Sequence, residues 1–342
     1  MSDGFHAGSS RLGGNGPLVG LVLLAWLAVG QAAPVRAADP ALTVTYAAIS
    51  GSHAALWVTK EAGLFERHGL RVQLIYLGGG QATKVLLAGS SPIISISGPA
   101  PIAAAIQGAD TVIVATVLNT FIFSIMARPE LTRPEALRGR RVGISRFGAA
   151  TDFALRYALR RWGLEPGRDV AILQVGGVPE ILAALRQGAI DAGVLSSPST
   201  LLARRAGFPE LVDMGKLGIE YPGACIVTTR SFLAGQPQTI RAFLMAFAEG
   251  IHRVRTDRAF AERVIARYTK VTDPEVVAVT YEDFVRYAQP VPRPTPAGVK
   301  LILEELAARE PRARELRAEA LIEPGPIRAL EEAGFFRMLG GS

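Results

Sequence analysis

The chain has 342 residues, 49% of them hydrophobic and 20% charged, and a net charge of +7. That composition excludes a disordered chain, and the length suggests two domains. A single cysteine, Cys225, excludes an internal disulfide, and with only His6, His53, His68 and His252 beside it no zinc-type cluster can be assembled. The arginines are spread over helical stretches such as RYALRRWG and EPRARELRAE without interleaved aromatics, which argues against nucleic-acid binding.

In chain order, Arg11 precedes a 14-residue apolar run, PLVGLVLLAWLAVG, and small residues at Val35 and Ala37. This is the layout of a secretory signal peptide, residues 1–37, with cleavage near Ala37/Ala38; retention as an anchor is the alternative. LTVTYAA then reads as a strand, AALWVTKEAGLFERHG as a helix ended by Gly69, LRVQLIYL as a strand, and ATKVLLAG as a helix stopped by Gly89. PIISIS is a buried strand, GPAPIAAAIQG a helix opened by proline, and DTVIVATVL a strand. The alternation then starts again: strands RRVGIS, DVAILQV and IDAGVLS are separated by helices ATDFALRYALRRWG, PEILAALRQG and PSTLLARRAG. ACIVTTR is one more apolar strand, and from Ser231 onward the pattern is helical except at PVPRPTP. Such alternation implies parallel strands covered by helices on both faces. Trp57 and Trp162 fall on apolar helix faces and are expected in the core.

The second run repeats the first at a spacing of 99 residues. VLLAGSSPIISISGPAP lies over ALRQGAIDAGVLSSPST so that Gly89 meets Gly188, Ser97 meets Ser196 and Pro99 meets Pro198. Gly stops and proline helix starts recur by local chemistry in any α/β protein, so part of the match is convergent capping. The rest points to one architecture built twice, as two α/β lobes.

Ligands of such sheets sit beyond the carboxyl ends of the strands. The candidate residues are therefore those of the strand-to-helix turns: Ser50, Ser52 and His53; Gly80 and Gln81; Ser97 and Gly98; Asn119 and Thr120; Gly148, Thr151 and Asp152; Gly177; Ser196 and Ser197. Each has an ordinary alternative as a solvated turn or a helix cap, capping being sufficient for Thr151. Asp152 either complements a helix N-terminus or meets an ammonium group. Tyr221 either stacks on a flat ligand or packs. Lys84 and Arg146 are the basic residues near these turns, which favours a larger, partly neutral ligand over a small, highly charged anion. No cofactor is expected, because no GxGxxG or Walker motif appears.

AALWVTKEAGLFERHGLRVQL resembles the opening signature of the nitrate/sulfonate/taurine-type solute-binding proteins, through Leu56, Trp57, Lys60, Glu61, Gly63, Leu64, Phe65, Gly69, Leu70 and Val72. ALRQGAIDAGVL, with Gly188, Asp191 and Ala192, is similar to that family's second-lobe motif, and LRGRRVGIS, GVKLILEEL and ALEEAGFF follow in the expected order. The resemblance implies the type II periplasmic-binding fold, with crossovers near Ala127–Glu130 and Tyr221–Thr229. It places a first lobe at 38–127, a second at 128–221, and a return to the first lobe with C-terminal helices at 222–342. It further implies a monomeric, periplasmic, non-enzymatic component of an ABC importer that hands a small organic solute to an inner-membrane permease. The solute classes it leaves open are sulfonate, taurine-like, nitrate, aromatic carboxylate and pyrimidine. Two alternatives remain: a thiamin- or menaquinone-precursor enzyme on the same scaffold, and a ligand-sensing partner of a membrane receptor.

Overall fold

A computed structural model describes residues 41–340; the proposed signal segment lies outside the described residues. Ten strands form two five-stranded sheets. The first holds β1 (Leu42–Tyr46), β2 (Val72–Tyr76), β3 (Ile93–Ile96), β4 (Thr111–Leu118) and β10 (Ala224–Thr229), in the order β2-β1-β3-β10-β4. The second holds β5 (Ser124–Ala127), β6 (Arg141–Ile144), β7 (Ala171–Gln174), β8 (Ala192–Leu195) and β9 (Glu210–Asp213), in the order β7-β6-β8-β5-β9.

The two orders are the same pattern. In each sheet four strands run in one direction, and the fourth place in the order is taken by a single antiparallel strand: β10 between β3 and β4, and β5 between β8 and β9. The expectation of parallel strands throughout is corrected there. SIMA and ELVD are too short to stand out in sequence as strands, and only the open edge of β8 recruits β5 into a ladder. The 99-residue spacing is structural, since it carries β3 onto β8.

Because β5 already belongs to the second sheet, the first crossing is at 119–123, ahead of the expected Ala127–Glu130. The return crossing occupies 214–223, ending where β10 begins.

Seven helices connect strands: α1 (Ala54–Glu61), α2 (Leu64–Arg67), α3 (Gln81–Leu87), α4 (Pro99–Ile106), α5 (Ala150–Arg161), α6 (Val178–Arg186) and α7 (Ser199–Arg205). The expected single helix over 54–69 is two helices, because Gly63 adopts a left-handed φ of 65° that breaks the ladder. After β10 come α8 (Arg230–Gly235), α9 (Pro237–Thr256), α10 (Arg258–Thr269), α11 (Pro274–Tyr287), α12 (Pro296–Leu306), α13 (Gly325–Glu332) and α14 (Phe335–Met338). The apolar stripe of α9, Ile240, Phe243, Leu244, Phe247, Ile251 and Val254, recurs at helical spacing and is buried. Phe243 stacks on Phe65 of α2 at 5.1 Å between ring centres, which anchors α9 to the first lobe.

One core lies between the first sheet and helices α1, α9, α10 and α11. A second continues from the first sheet through the crossings into the second, joining Ile94, Ile113 and Val227 to Val142, Ile144 and Phe153. At its centre the crossings are pinned together: Phe121 of the first stacks on Tyr221 of the second at 4.0 Å and 12°. Trp57 is buried as expected, stacked on Tyr268 at 4.9 Å, and Trp162 is half-buried against the second core.

Candidate functional site

The strand-to-helix turns of the two lobes face each other across a cavity of about 350 Å³. From the first lobe it takes Ser52 and His53 after β1, Tyr76 and the glycines after β2, Gln81 at the start of α3, and Ser97 after β3. The second lobe adds Ser145, Arg146 and Thr151 around the start of α5, Gly177 and Glu180 at the start of α6, and Ser196 after β8. Ile96, Ile122 and Phe123 supply apolar wall. A few polar groups converging on such a wall are the usual form of a small-molecule site.

The lobes are in contact around this cavity. A Cβ on Gly79 would stand 3.0 Å from Arg146 Cδ, and one on Gly177 would stand 3.0 Å from the Tyr76 hydroxyl. At the rear, Ser196 Oγ donates to Ser50 Oγ at 3.0 Å, and the Gly51 amide donates to the Ser197 carbonyl at 3.0 Å. Two sets of ion pairs lie further out, Arg160 with Glu305 at 2.6 Å and Arg205 with Asp273 and Glu275. The described arrangement is the shut one.

Electrostatically the cavity lining carries groups of both signs. Arg146 is half-buried and makes no side-chain hydrogen bond or ion pair. Beside it opens α5, whose first-turn amides have no intrahelical acceptor. The cap position, Ala149, has no side chain to offer them, and the Thr151 hydroxyl is engaged with Ser145, accepting from its amide at 2.9 Å. Arg146 and this helix start favour an anion. The Glu180 carboxylate, also without an ion pair, stands next to the Tyr76 hydroxyl. Burial first, and then the Glu180 charge, raise the Tyr76 pKa, so the phenol is protonated and can donate. His53 is buried with Nδ1 2.9 Å from Ser95 Oγ, and burial lowers its pKa to about 4. It is therefore a neutral imidazole at neutral pH.

Of the sixteen candidates, fifteen from the turns and Tyr221, the residues Ser52, His53, Gln81, Ser97, Thr151, Gly177 and Ser196 line this cavity. Ser50 and Ser197 lie behind it, in the contact that closes its rear. The others do not line it, each for a local reason. Gly80 caps α3 while Gly78 and Gly79 face the cavity. Gly98 is packed under the return crossing, its amide donating to the Pro222 carbonyl at 2.9 Å. Asn119 Nδ2 donates to Thr295 Oγ1 at 2.9 Å, and Thr120 Oγ1 reaches only the Gly215 carbonyl, at 3.5 Å. Asp152 accepts from the Gly148 amide at 2.9 Å and from Arg156 Nε at 2.6 Å, so both its oxygens and Gly148 are occupied within the fold. Tyr221 is fully buried in its stack on Phe121, which corrects the stacking-on-ligand alternative in favour of packing.

Even within the cavity the two repeat serines are partly spent: Ser97 Oγ donates to the Gly223 carbonyl at 2.5 Å, and Ser196 to Ser50. Tyr76 and Glu180 were not among the turn residues. Tyr76 ends β2, where the carboxyl-end rule would have found it. Glu180 reads in sequence as an ordinary first-turn acid of α6.

Comparison with known proteins adds to this geometry. Residues 50–258 match the NMT1/THI5 like family, more than half of the chain. The chain belongs to that family. A stretch of 123 residues, 35% of this chain, is 26% identical to the taurine-binding periplasmic protein of Escherichia coli K12. That stretch spans only 37% of the relative's length. Solved structures share the fold over nearly their full length. A protein of Bordetella bronchiseptica RB50 superposes with a TM-score of 0.75 at 19% identity, covering 85% of this chain and 97% of its own. The alkanesulfonate-binding protein SsuA of Xanthomonas axonopodis pv. citri, bound to MOPS, gives 0.70 at 20% identity, covering 84% and 100%. The periplasmic nitrate-binding protein NrtA of Synechocystis PCC 6803 gives 0.71 at 16%, covering 86% and 89%. The fold is therefore that of the two-lobed periplasmic binding proteins. Among the described residues, no helix is long and apolar enough to cross a membrane.

Proposed function

We propose that the chain is the periplasmic solute-binding component of an ABC importer. It captures a small organic anion that also carries a hydrogen-bond-donating group and delivers it to a permease. The observation that carries this reading is the unpaired Arg146 beside the open start of α5, inside a cavity walled by both lobes. An acidic head, sulfonate or carboxylate, sits there. Glu180, which also lines the cavity, accepts from an amino or hydroxyl group elsewhere on the ligand. Taurine-like and other amino-substituted acids meet both demands; nitrate has no second end for Glu180. The names of the relatives, taurine-, alkanesulfonate- and nitrate-binding, support the class.

The enzyme alternative loses ground on Cys225. It is the only cysteine, it is buried, and burial pushes its thiol up to about 12, so it is no nucleophile. Native mass spectrometry of gently purified mature protein, followed by calorimetric titration of whatever co-purifies and of taurine, tests the reading. One molecule of an organic acid per chain, released unchanged, supports it. No co-purifying acid, together with no heat from a panel of sulfonates and amino acids, would sink it. Capture of a permease in membrane pull-downs supports import, and capture of a receptor alone supports sensing.

A further inference from the structure

Behind the Ser50–Ser196 contact lies a second cavity of about 270 Å³, again walled by both lobes. One face of α11 forms its first-lobe side, with Thr280 and Asp283 one turn apart. The second lobe supplies Ser124, which opens β5, and Thr200, in the first turn of α7. Ser124 and Thr200 are 5% and 6% exposed, yet neither hydroxyl is hydrogen-bonded to the protein. Asp283 is half-buried and has no ion-pair partner. The other charges on this wall are mostly taken. Arg204 grips Glu210 at 2.6 and 2.7 Å, Lys216 meets Asp213 at 3.2 Å, and Glu282 accepts from Arg258 at 3.0 Å. Arg286 lines the cavity too, exposed and unpaired, more than 4.0 Å from the Asp283 carboxylate. Phe121 and Phe284 close the apolar side.

We propose that this second cavity binds a small primary alkylammonium ion, with its nitrogen among Asp283, Ser124 and Thr200 and its alkyl group against Phe121 and Phe284. The chemistry fits on both sides. An ammonium carries three donors and no acceptor, and the wall offers one carboxylate, which only the Ser197 side chain reaches, and two hydroxyls that make no hydrogen bond to the protein. A half-buried carboxylate is costly, and burial raises the Asp283 pKa against the opposing pull of Ser197 and the more distant Arg286 and Arg204 charges. A cation removes that cost. Because α11 belongs to one lobe and Ser124 and Thr200 to the other, an occupant favours the shut arrangement. It therefore raises affinity at the first cavity, and the effect is reciprocal. The site stands on residues that the first cavity does not use, so it holds or falls independently of the function proposed above.

The test is thermal melting of the full mature chain with ethylammonium chloride at pH 7.5, against matched sodium chloride and tetramethylammonium chloride. The expected result is a saturable rise in melting temperature with ethylammonium only. The rise persists in Arg146→Gln, and its midpoint concentration shifts roughly tenfold or more in Asp283→Asn, as loss of a charged hydrogen bond requires. Should Asp283→Asn not fold, Thr200→Val and Ser124→Ala, each shifting the midpoint several-fold, serve in its place. No saturable rise, an equal rise with either control salt, or a rise unchanged in Asp283→Asn and in both hydroxyl variants overturns the proposal.

Discussion

The turn after β3 and the turn after β8 occupy the same place in the repeated unit, yet they hold different partners. In the first copy, Ser97 and Gly98 bind the return crossing through the Gly223 and Pro222 carbonyls. In the second, Ser196 and Ser197 reach across to Ser50 and Gly51 of the other lobe, and Ser197 Oγ donates to Thr280 of α11 at 3.3 Å. The first copy is built into the hinge, and the second is the latch between lobes. Duplicated sequence thus fixed where a turn stands, while its surroundings fixed what it does. Changes in the first copy should cost stability, and changes in the second should cost affinity.

The largest effect expected is the acid response of the first lobe. His53 is bonded to Ser95 on β3, and its folded pKa of about 4 lies below the unfolded value of 6.5. Between those values the unfolded chain binds the extra proton, so stability falls as pH drops from 6.5 to 4 and levels below. The loss is about 3 kcal/mol. Denaturant melts at pH 7 and pH 4 measure it, and His53→Gln should flatten the difference; an unchanged slope would place the titrating group elsewhere.

Next, Gly98→Ala sets a methyl 2.5 Å from Pro222 Cγ and 2.9 Å from Ile302 Cδ1. Overpacking of this kind costs about 2 kcal/mol, read as a lower melting temperature of the ligand-free protein. Ser197→Ala, at the matching position of the second copy, should lower it by less than about 1 kcal/mol. Equal losses in the two variants would break the comparison.

Arg146→Gln leaves ligand-free melting unchanged and weakens binding of the co-purified acid about tenfold or more, as loss of one charged hydrogen bond predicts. Titration calorimetry decides it. The smaller effect on binding is at the latch. Gly51→Ala puts a methyl 2.5 Å from Thr280 Cγ2 of α11 in the same lobe, so the loop must shift and carry the Gly51 amide away from the Ser197 carbonyl of the other lobe. Affinity drops several-fold, about 1 kcal/mol, and small-angle scattering should show a wider ligand-bound form. Full affinity with a normal radius would mean that this contact does not gate closure.

Most strands and helices were legible because their signals are local: β-branched runs, glycine stops, proline starts. The same rules made the 99-residue repeat visible. Two features were not legible. SIMA and ELVD are four-residue strands that exist only because β8 and β5 offer them an edge. The site was legible as a set of turns but not as a set of free groups. Asp152 looked available and is doubly occupied; Glu180 looked ordinary and is free.

The sequence by itself determined the two-lobed α/β plan, the turns that face the cleft and the lack of any disulfide, since each follows from residue spacing and count. The tertiary structure alone decided which strand runs antiparallel in each sheet, where the chain crosses between lobes, and which hydroxyls and charges stay unpaired. Those outcomes depend on partners more than a hundred residues apart, such as Ser97 with Gly223 and Ser50 with Ser196. No local pattern records such pairings, because a hydrogen bond is fixed by where two groups meet in space.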